Sequence, residues 1–227
     1  KYIKDYLATI RSVDDNIGKV LAYLKENGLE KNTIVIYASD QGFFLGEHGF
    51  FDKRFMYEEA LHMPFVIRYP GKIQPGTVVD DIVTNIDFAP TLLDMAGVPI
   101  PEQVQGKSFF NNLKGDTSED WQQSMYYHYY EYPYYHRVQP HYGIRNQRYK
   151  LIHFYYDVDV WEFYDLKKDP NEMKNLIHSK SYTILIKQLK KELYKLKENY
   201  GNKLSLEELR TISDTDFGGL ESKIKIK

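Results

Sequence analysis

The stretch Thr33-Ile34-Val35-Ile36-Tyr37-Ala38-Ser39-Asp40-Gln41-Gly42 passes without a break from an apolar, β-branched segment into a polar, glycine-bearing one. Its first six residues predict a short strand buried on both faces of a parallel sheet, because a half-wetted strand alternates apolar and polar side chains and this one does not. Upstream, Leu7, Ile10, Val13, Ile17, Val20, Leu21 and Leu24 keep to three- and four-residue steps, the mark of one apolar helix face. Asn27-Gly28 supplies a left-handed stop for that helix. A helix followed by a buried strand indicates an α/β layer. In open α/β sheets ligands bind beyond the carboxyl ends of the strands, which directs attention to Ser39 and the residues after it.

Working outward, Pro64-Phe65-Val66-Ile67-Arg68 reads as a second buried strand closed by the turn Tyr69-Pro70-Gly71. Asp87 is placed to cap a short helix with Pro90 in its first turn and Gly97 just past its end, packing through Leu92, Leu93 and Met95. The texture changes near residue 120, giving an α/β piece over 1–120 and a smaller α+β piece over 121–227. In the second piece Tyr126 to Tyr130, Tyr142 to Arg145, Tyr149 to Tyr155 and Trp161 to Tyr164 read as strands of an antiparallel sheet. Ile184, Leu185, Leu189, Leu193 and Leu196 fall at helical spacing and predict one helix covering it. The polar residues after Gly201 are assigned little structure.

Composition excludes several classes. With 227 residues and 42% apolar content the chain buries a substantial core. Its 30 basic and 32 acidic residues nearly cancel, so no general attraction to nucleic acid or an anionic membrane is expected, and an anionic ligand needs a local site. No run reaches the roughly 20 apolar residues that span a bilayer. Lys1 opens an amphipathic helix rather than a signal peptide, so a leader is expected on a preceding segment. There is no cysteine, which rules out disulfides, thiolate metal ligands and a thiol nucleophile within these residues.

The chemistry concentrates between Ser39 and Arg54. An ionised Asp40 beside the Gln41 amide at a strand end offers hard oxygen ligands of the kind calcium or magnesium takes, although calcium needs about six to eight oxygens and two do not make a site. Capping of the loop by Asp40 is the plain alternative. Lys53, in Asp52-Lys53-Arg54, can neutralise a tetrahedral anion next to such a cation, or be a solvated surface lysine. His48 can donate to an ester or sulfate oxygen, or bond backbone within its glycine-rich loop. His136 and His141 lie in a run of rings and donors from Tyr132 to Tyr142 suited to stacking on a pyranose and bonding its hydroxyls; one of the two is expected to meet sugar. The neighbouring tyrosines are assigned mostly to the sheet.

The ordered set S-D-Q-G-x-x-x-G-E-H-G-x-x-x-K-R (39–54), P-F-V-I-R-Y-P-G (64–71), D-F-A-P-T-L-L-D-M-A-G (87–97), G-I-R-N-Q-R-Y-K-L-I (143–152) and F-Y-D-L-K-K-D-P-N-E-M-K-N-L (163–176) resembles the C-terminal half of the type I, formylglycine-dependent sulfatases. The resemblance implies an alkaline-phosphatase-like α/β domain followed by a small α+β subdomain with an antiparallel sheet and a C-terminal helix. It also implies that Asp40 and Gln41 are two ligands of one calcium ion and that Lys53 binds sulfate. The formylglycine motif C/S-x-P-S/A-x-R is absent, so the nucleophile and the remaining metal ligands are expected on a missing N-terminal half of the same enzyme.

More narrowly, Asp52-Lys53-Arg54 resembles the N-acetylglucosamine-6-O-sulfatases, with Asp52 and Arg54 as sugar contacts. A local ion pair between these two is the competing reading. The expected substrate is a sulfated carbohydrate of glycosaminoglycans or mucin glycans. A phosphodiesterase or phosphonate hydrolase of the same superfamily, and a noncatalytic glycan-binding module, are the alternatives. Lack of cysteine favours a bacterial source and a periplasmic or secreted location over a disulfide-bearing lysosomal one.

Overall fold

A computed structural model of the chain describes residues 1–132 and 136–213. The opening helix α1, Tyr2–Glu26, ends where Gly28 takes φ +69° and the Leu29 amide reaches the Leu24 carbonyl at 2.8 Å. Its apolar stripe is present, yet no residue of α1 is buried, and Leu7, Ile10 and Val13 stand exposed.

Strand β1, Val35–Ala38, pairs with β2, Phe65–Arg68, and the pairing is antiparallel, with Val35 opposite Arg68 and Ala38 opposite Phe65. This corrects the parallel, doubly buried strands expected from sequence, since Ile36, Tyr37 and Val66 are exposed. An unbroken apolar run shows that both faces suit burial but says nothing of strand direction, which depends on the neighbour at hand.

Two short helices follow: α2, Glu58–Leu61, between the strands in sequence, and α3, Phe88–Met95, after them. Met95 is buried with Phe109, Leu113 of α4 (Phe110–Leu113) and Trp121. Leu92, expected in that core, is exposed. Asp87 does not cap α3 through its side chain. Its carboxylate is wholly buried and accepts from the Thr84 amide and hydroxyl, the Lys107 amide and the Gln122 side chain at 2.8 to 2.9 Å. It therefore ties three segments together, as a buried carboxylate must be satisfied by donors.

The second sheet runs β3 (Ser124–Tyr129), β4 (His141–Asn146), β5 (Tyr149–Phe154), β6 (Val160–Asp165), all neighbours antiparallel. Alternation along each strand divides its side chains between two packed faces. On one face Tyr142, Ile144, Leu151 and Phe163 meet Ile186, Leu189 and Leu193 of α5, Thr183–Asn199. The residues after Gly201, expected to be irregular, form α6, Leu206–Ile212. A capping box starts it, the Ser205 hydroxyl accepting from the Glu208 amide at 3.2 Å and the Glu208 carboxylate accepting from the Ser205 amide at 2.7 Å, and Leu209 plugs into the same core.

The opposite face of the sheet receives the segment after β1. Phe44, Met56, Tyr57 and Ala60 pack on Ile152, Phe154 and Tyr164. Gly143 makes this approach possible, because a Cβ there would lie 2.5 Å from both the Met56 sulfur and the Leu151 carbonyl oxygen. No described helix is long and apolar enough to cross a membrane.

Candidate active site

At the end of β1 the Ser39 hydroxyl donates to the Gln41 carbonyl at 2.9 Å, which turns the chain and leaves Asp40 pointing outward. The Gly42 amide then donates to the Ala60 carbonyl at 2.8 Å. Only glycine fits there, since a Cβ would come 2.0 Å from the Glu59 carbonyl oxygen. The Phe44 amide donates to the Asp52 carbonyl at 2.8 Å, closing residues 44–52 into a loop whose far end delivers Lys53 back beside Asp40.

The Lys53 ammonium donates to Asp40 Oδ2 at 2.6 Å. That hydrogen bond and the lysine charge hold the Asp40 carboxyl below its usual range, so it is an ionised oxygen donor. The Asp52 carboxylate accepts from the Lys53 amide at 2.7 Å and is ion-paired with Arg54. Asp52 and Arg54 thus satisfy each other locally in this structure.

A cleft of about 200 Å³ is lined by Asp40, Gln41, Lys53, Arg54, Tyr127 and Tyr129. Four residues singled out from sequence therefore meet in one place, together with Tyr127 and Tyr129, from the group of tyrosines expected mostly to belong to the sheet. Both belong to β3, and period-2 alternation puts Tyr127 and Tyr129 on the face opposite Tyr126 and His128. The Tyr127 hydroxyl donates to the Arg54 carbonyl at 3.0 Å, and the Tyr129 hydroxyl to Glu131 at 3.1 Å. The alternation was readable in the sequence; what faced it was not.

The histidines fare differently. His48 adopts φ +53°, stacks on Tyr57 with ring centroids 4.4 Å apart and places Nε2 3.6 Å from Glu59. His136 is exposed and does not line the cleft. His141, expected as a possible sugar contact, is wholly buried. Its ring lies among Phe55, Tyr127, Tyr129 and Phe154 at 4.9 to 6.1 Å, with Nδ1 2.8 Å from the Gln139 carbonyl. It lies beside the tyrosines of the cleft, directly opposite Tyr129 across β3 and β4, and its ring is covered by Phe55. Pro133, Tyr134 and Tyr135 of the same ring-rich run lie outside the described residues.

Asp40 and Gln41 fit an oxygen-preferring cation as two members of a donor set. Among the described residues no group of three or more His, Cys, Asp or Glu side chains is arranged to hold a metal, so these two donors do not complete a calcium shell.

Residues 46–199 match the family of N-sulphoglucosamine sulphohydrolase C-terminal domains. The chain belongs to the sulfatase family. This sulfatase chain is 53% identical over 202 residues to N-acetylglucosamine-6-O-sulfatase of Bacteroides thetaiotaomicron, an alignment covering 88% of it and 36% of that protein. Its fold matches a solved structure in complex with its substrate D-glucosamine-2-N,6-O-disulfate, with TM-score 0.88 and 51% identity over 91% of this chain and 42% of that one. A phosphonate monoester hydrolase from Silicibacter pomeroyi matches with TM-score 0.75 and 27% identity, over 84% of this chain and 40% of the other. The sulfatase chain thus spans well under half the length of these relatives. The expected fold, an α/β sulfatase portion with a small antiparallel sheet and a C-terminal helical cover, is shown by these likenesses.

Proposed function

We propose that the protein is a sulfuric ester hydrolase that removes the 6-O-sulfate of N-acetylglucosamine or a related glucosamine unit in glycosaminoglycans or mucin glycans. The observation that carries this reading is the juxtaposition of Asp40, Gln41, Lys53 and Arg54 in one cleft, in a chain 53% identical to an N-acetylglucosamine-6-O-sulfatase. Asp40 and Gln41 would hold one divalent cation, assigned as calcium, which supplies positive charge where sulfuryl oxygens gain negative charge. Lys53, held 2.6 Å from Asp40, serves as a fixed cation for the same oxygens, a role in which preoriented donors matter most. Asp52 and Arg54 present an acceptor and a donor to sugar hydroxyls once their mutual pair is exchanged for substrate. Tyr127 and Tyr129 wall the cleft on the sheet side and offer a ring face for a pyranose. His48, held against Tyr57 and Glu59, is assigned to shaping the loop, with donation to the ester as its alternative part.

The nucleophile, formylglycine in this family, stands outside these 227 residues, which contain no motif for it. Bacterial relatives and the lack of cysteine support a periplasmic or secreted location.

The test is sulfate release from 6-O-sulfated N-acetylglucosamine by the polypeptide that carries the nucleophile, with and without Lys53→Ala. Loss of about 10²- to 10³-fold in kcat/KM is expected for the variant, the usual cost of removing one preoriented donor. Wild-type activity in Lys53→Ala would refute the assignment. The likeness to a phosphonate monoester hydrolase supports a second reading, favoured if phosphonate monoesters turn over faster than sulfate esters.

A further inference from the structure

Two of the sequence motifs, residues 143–152 and 163–176, contribute nothing to the cleft, yet they converge on one point below it. Lys150 has no exposed side-chain surface, and its ammonium lies 2.9 Å from Glu58 and 2.7 Å from Glu172. Arg145 forks onto the same Glu58 carboxylate, Nε at 3.2 Å and Nη2 at 3.0 Å. The second oxygen of Glu172 accepts the Glu58 amide at 2.7 Å. Glu172 reaches this position with φ +51°, a conformation that a side-chain-bearing residue keeps only when its surroundings impose it.

Two cations and two carboxylates therefore meet, Lys150 and Glu172 with no exposed side-chain surface and Arg145 and Glu58 partly exposed. Burial would raise the Glu58 carboxyl, but Lys150 and Arg145 outweigh it and hold it down at about 2, whereas burial pushes Glu172 up to about 7 despite Lys150. Such a cluster is a poor source of net stability, because desolvating the ions costs as much as their attraction returns. What it does provide is fixed geometry.

From these contacts we infer that Glu58, Arg145, Lys150 and Glu172 are positioning residues that set the Asp40-Gln41 pair and the Asp52-Lys53-Arg54 segment against the sheet. The mechanical path is short on both sides. Toward the metal pair, the cluster fixes Glu58, the first residue of α2. The Ala60 carbonyl of α2 takes the Gly42 amide at 2.8 Å, and Gly42 adjoins Gln41. Toward Lys53, the same anchored turn is preceded by Met56, which is wholly buried and lodged against Gly143, and by Arg54, whose carbonyl is held by Tyr127. One anchor thus serves both halves of the candidate site. The inference rests on the roles proposed above for Asp40, Gln41 and Lys53.

The experiment uses the full-length protein with Lys150→Met and, as a variant that keeps the shape, Glu172→Gln. Amide exchange at Gly42, Phe44 and residues 58–62 is followed alongside kcat/KM, each variant also being combined with Lys53→Ala. In folded variants, exchange at Gly42 and α2 is expected to speed up by about tenfold or more while the amides shared by β4 and β5 keep their protection. The kcat/KM of Lys150→Met is expected to fall about tenfold or more, as misplacement of a catalytic group does. In the Lys53→Ala background the further loss should shrink below about twofold, because residues acting through one another are not additive.

Unchanged exchange at Gly42 and α2 overturns the inference. So does a Lys150→Met loss that multiplies undiminished with a costly Lys53→Ala. If exchange responds while Lys53→Ala alone is as active as the parent, the positioning stands and the role given to Lys53 falls.

Discussion

Replacing His141 with Phe separates a core residue from a substrate contact. The ring is wholly buried, and burial drives its pKa from the ordinary 6.5 down to about 4, despite the Gln139 carbonyl that favours the charged form. A histidine whose folded pKa is depressed stabilises the fold while it is neutral in both states. That contribution is full above the unfolded pKa and is lost as pH falls toward the folded one. Between pH 7 and pH 5 the unfolded state gains a proton that the folded state refuses, which costs about 2 kcal/mol. For a chain of this size that is about 4–8 °C in Tm.

Phe keeps the ring among Phe55, Tyr127, Tyr129 and Phe154 and cannot titrate. His141→Phe is therefore expected to match the parent within about 1 kcal/mol at pH 7, the worth of the hydrogen bond to Gln139. On acidification it should lose about 2 kcal/mol less than the parent. Some acid sensitivity remains in the variant, because burial also lowers His128, to about 3. The assay is urea unfolding at pH 7, 6 and 5, paired with substrate kinetics at pH 7. An unchanged acid slope in His141→Phe would refute the buried neutral state, and a tenfold rise in KM at unchanged stability would show that the ring reaches substrate after all.

Gly143→Ala forces a Cβ to within 2.5 Å of the Met56 sulfur and the Leu151 carbonyl oxygen. A loss of about 1–3 kcal/mol is expected by thermal unfolding, with lower kcat/KM because Met56 leads into Arg54; parent-like values for both would disprove the close packing. Asp165, fully buried, accepts both arms of Arg148 at 2.9 to 3.0 Å and the Tyr182 hydroxyl at 2.9 Å, and the Arg148 hydrogen bonds hold its carboxyl down at about 2. As an acid with a depressed folded pKa, it contributes stability above about pH 4 that is lost between about pH 4 and pH 2. Acid unfolding of Asp165→Asn should lack that share of the transition, and an identical acid limb would count against the pairing.

The sequence by itself determined whatever depends on neighbours a few residues away. Alternation from Tyr126 to Tyr164 defined four strands, three- and four-residue spacing defined α1 and α5, and the glycine-rich run from Ser39 to Arg54 placed an oxygen pair and a lysine on one loop. The capping box at Ser205 and Glu208 is equally local, but the polar residues around it leave the helix it opens without a long apolar face to predict it. The ordered motifs also carried the family. Tertiary structure decided what depends on partners far along the chain. The antiparallel pairing of β1 with β2, the sealing of His141 under Phe55 and the arrival of Tyr127 and Tyr129 at the cleft all turn on which surfaces meet. Glu58 meets Arg145 across 87 positions and Glu172 across 114. A charged residue read from sequence defaults to solvent, since isolated burial of a charge is so costly. Only the assembled fold brings the opposite charges that make Lys150 an interior residue.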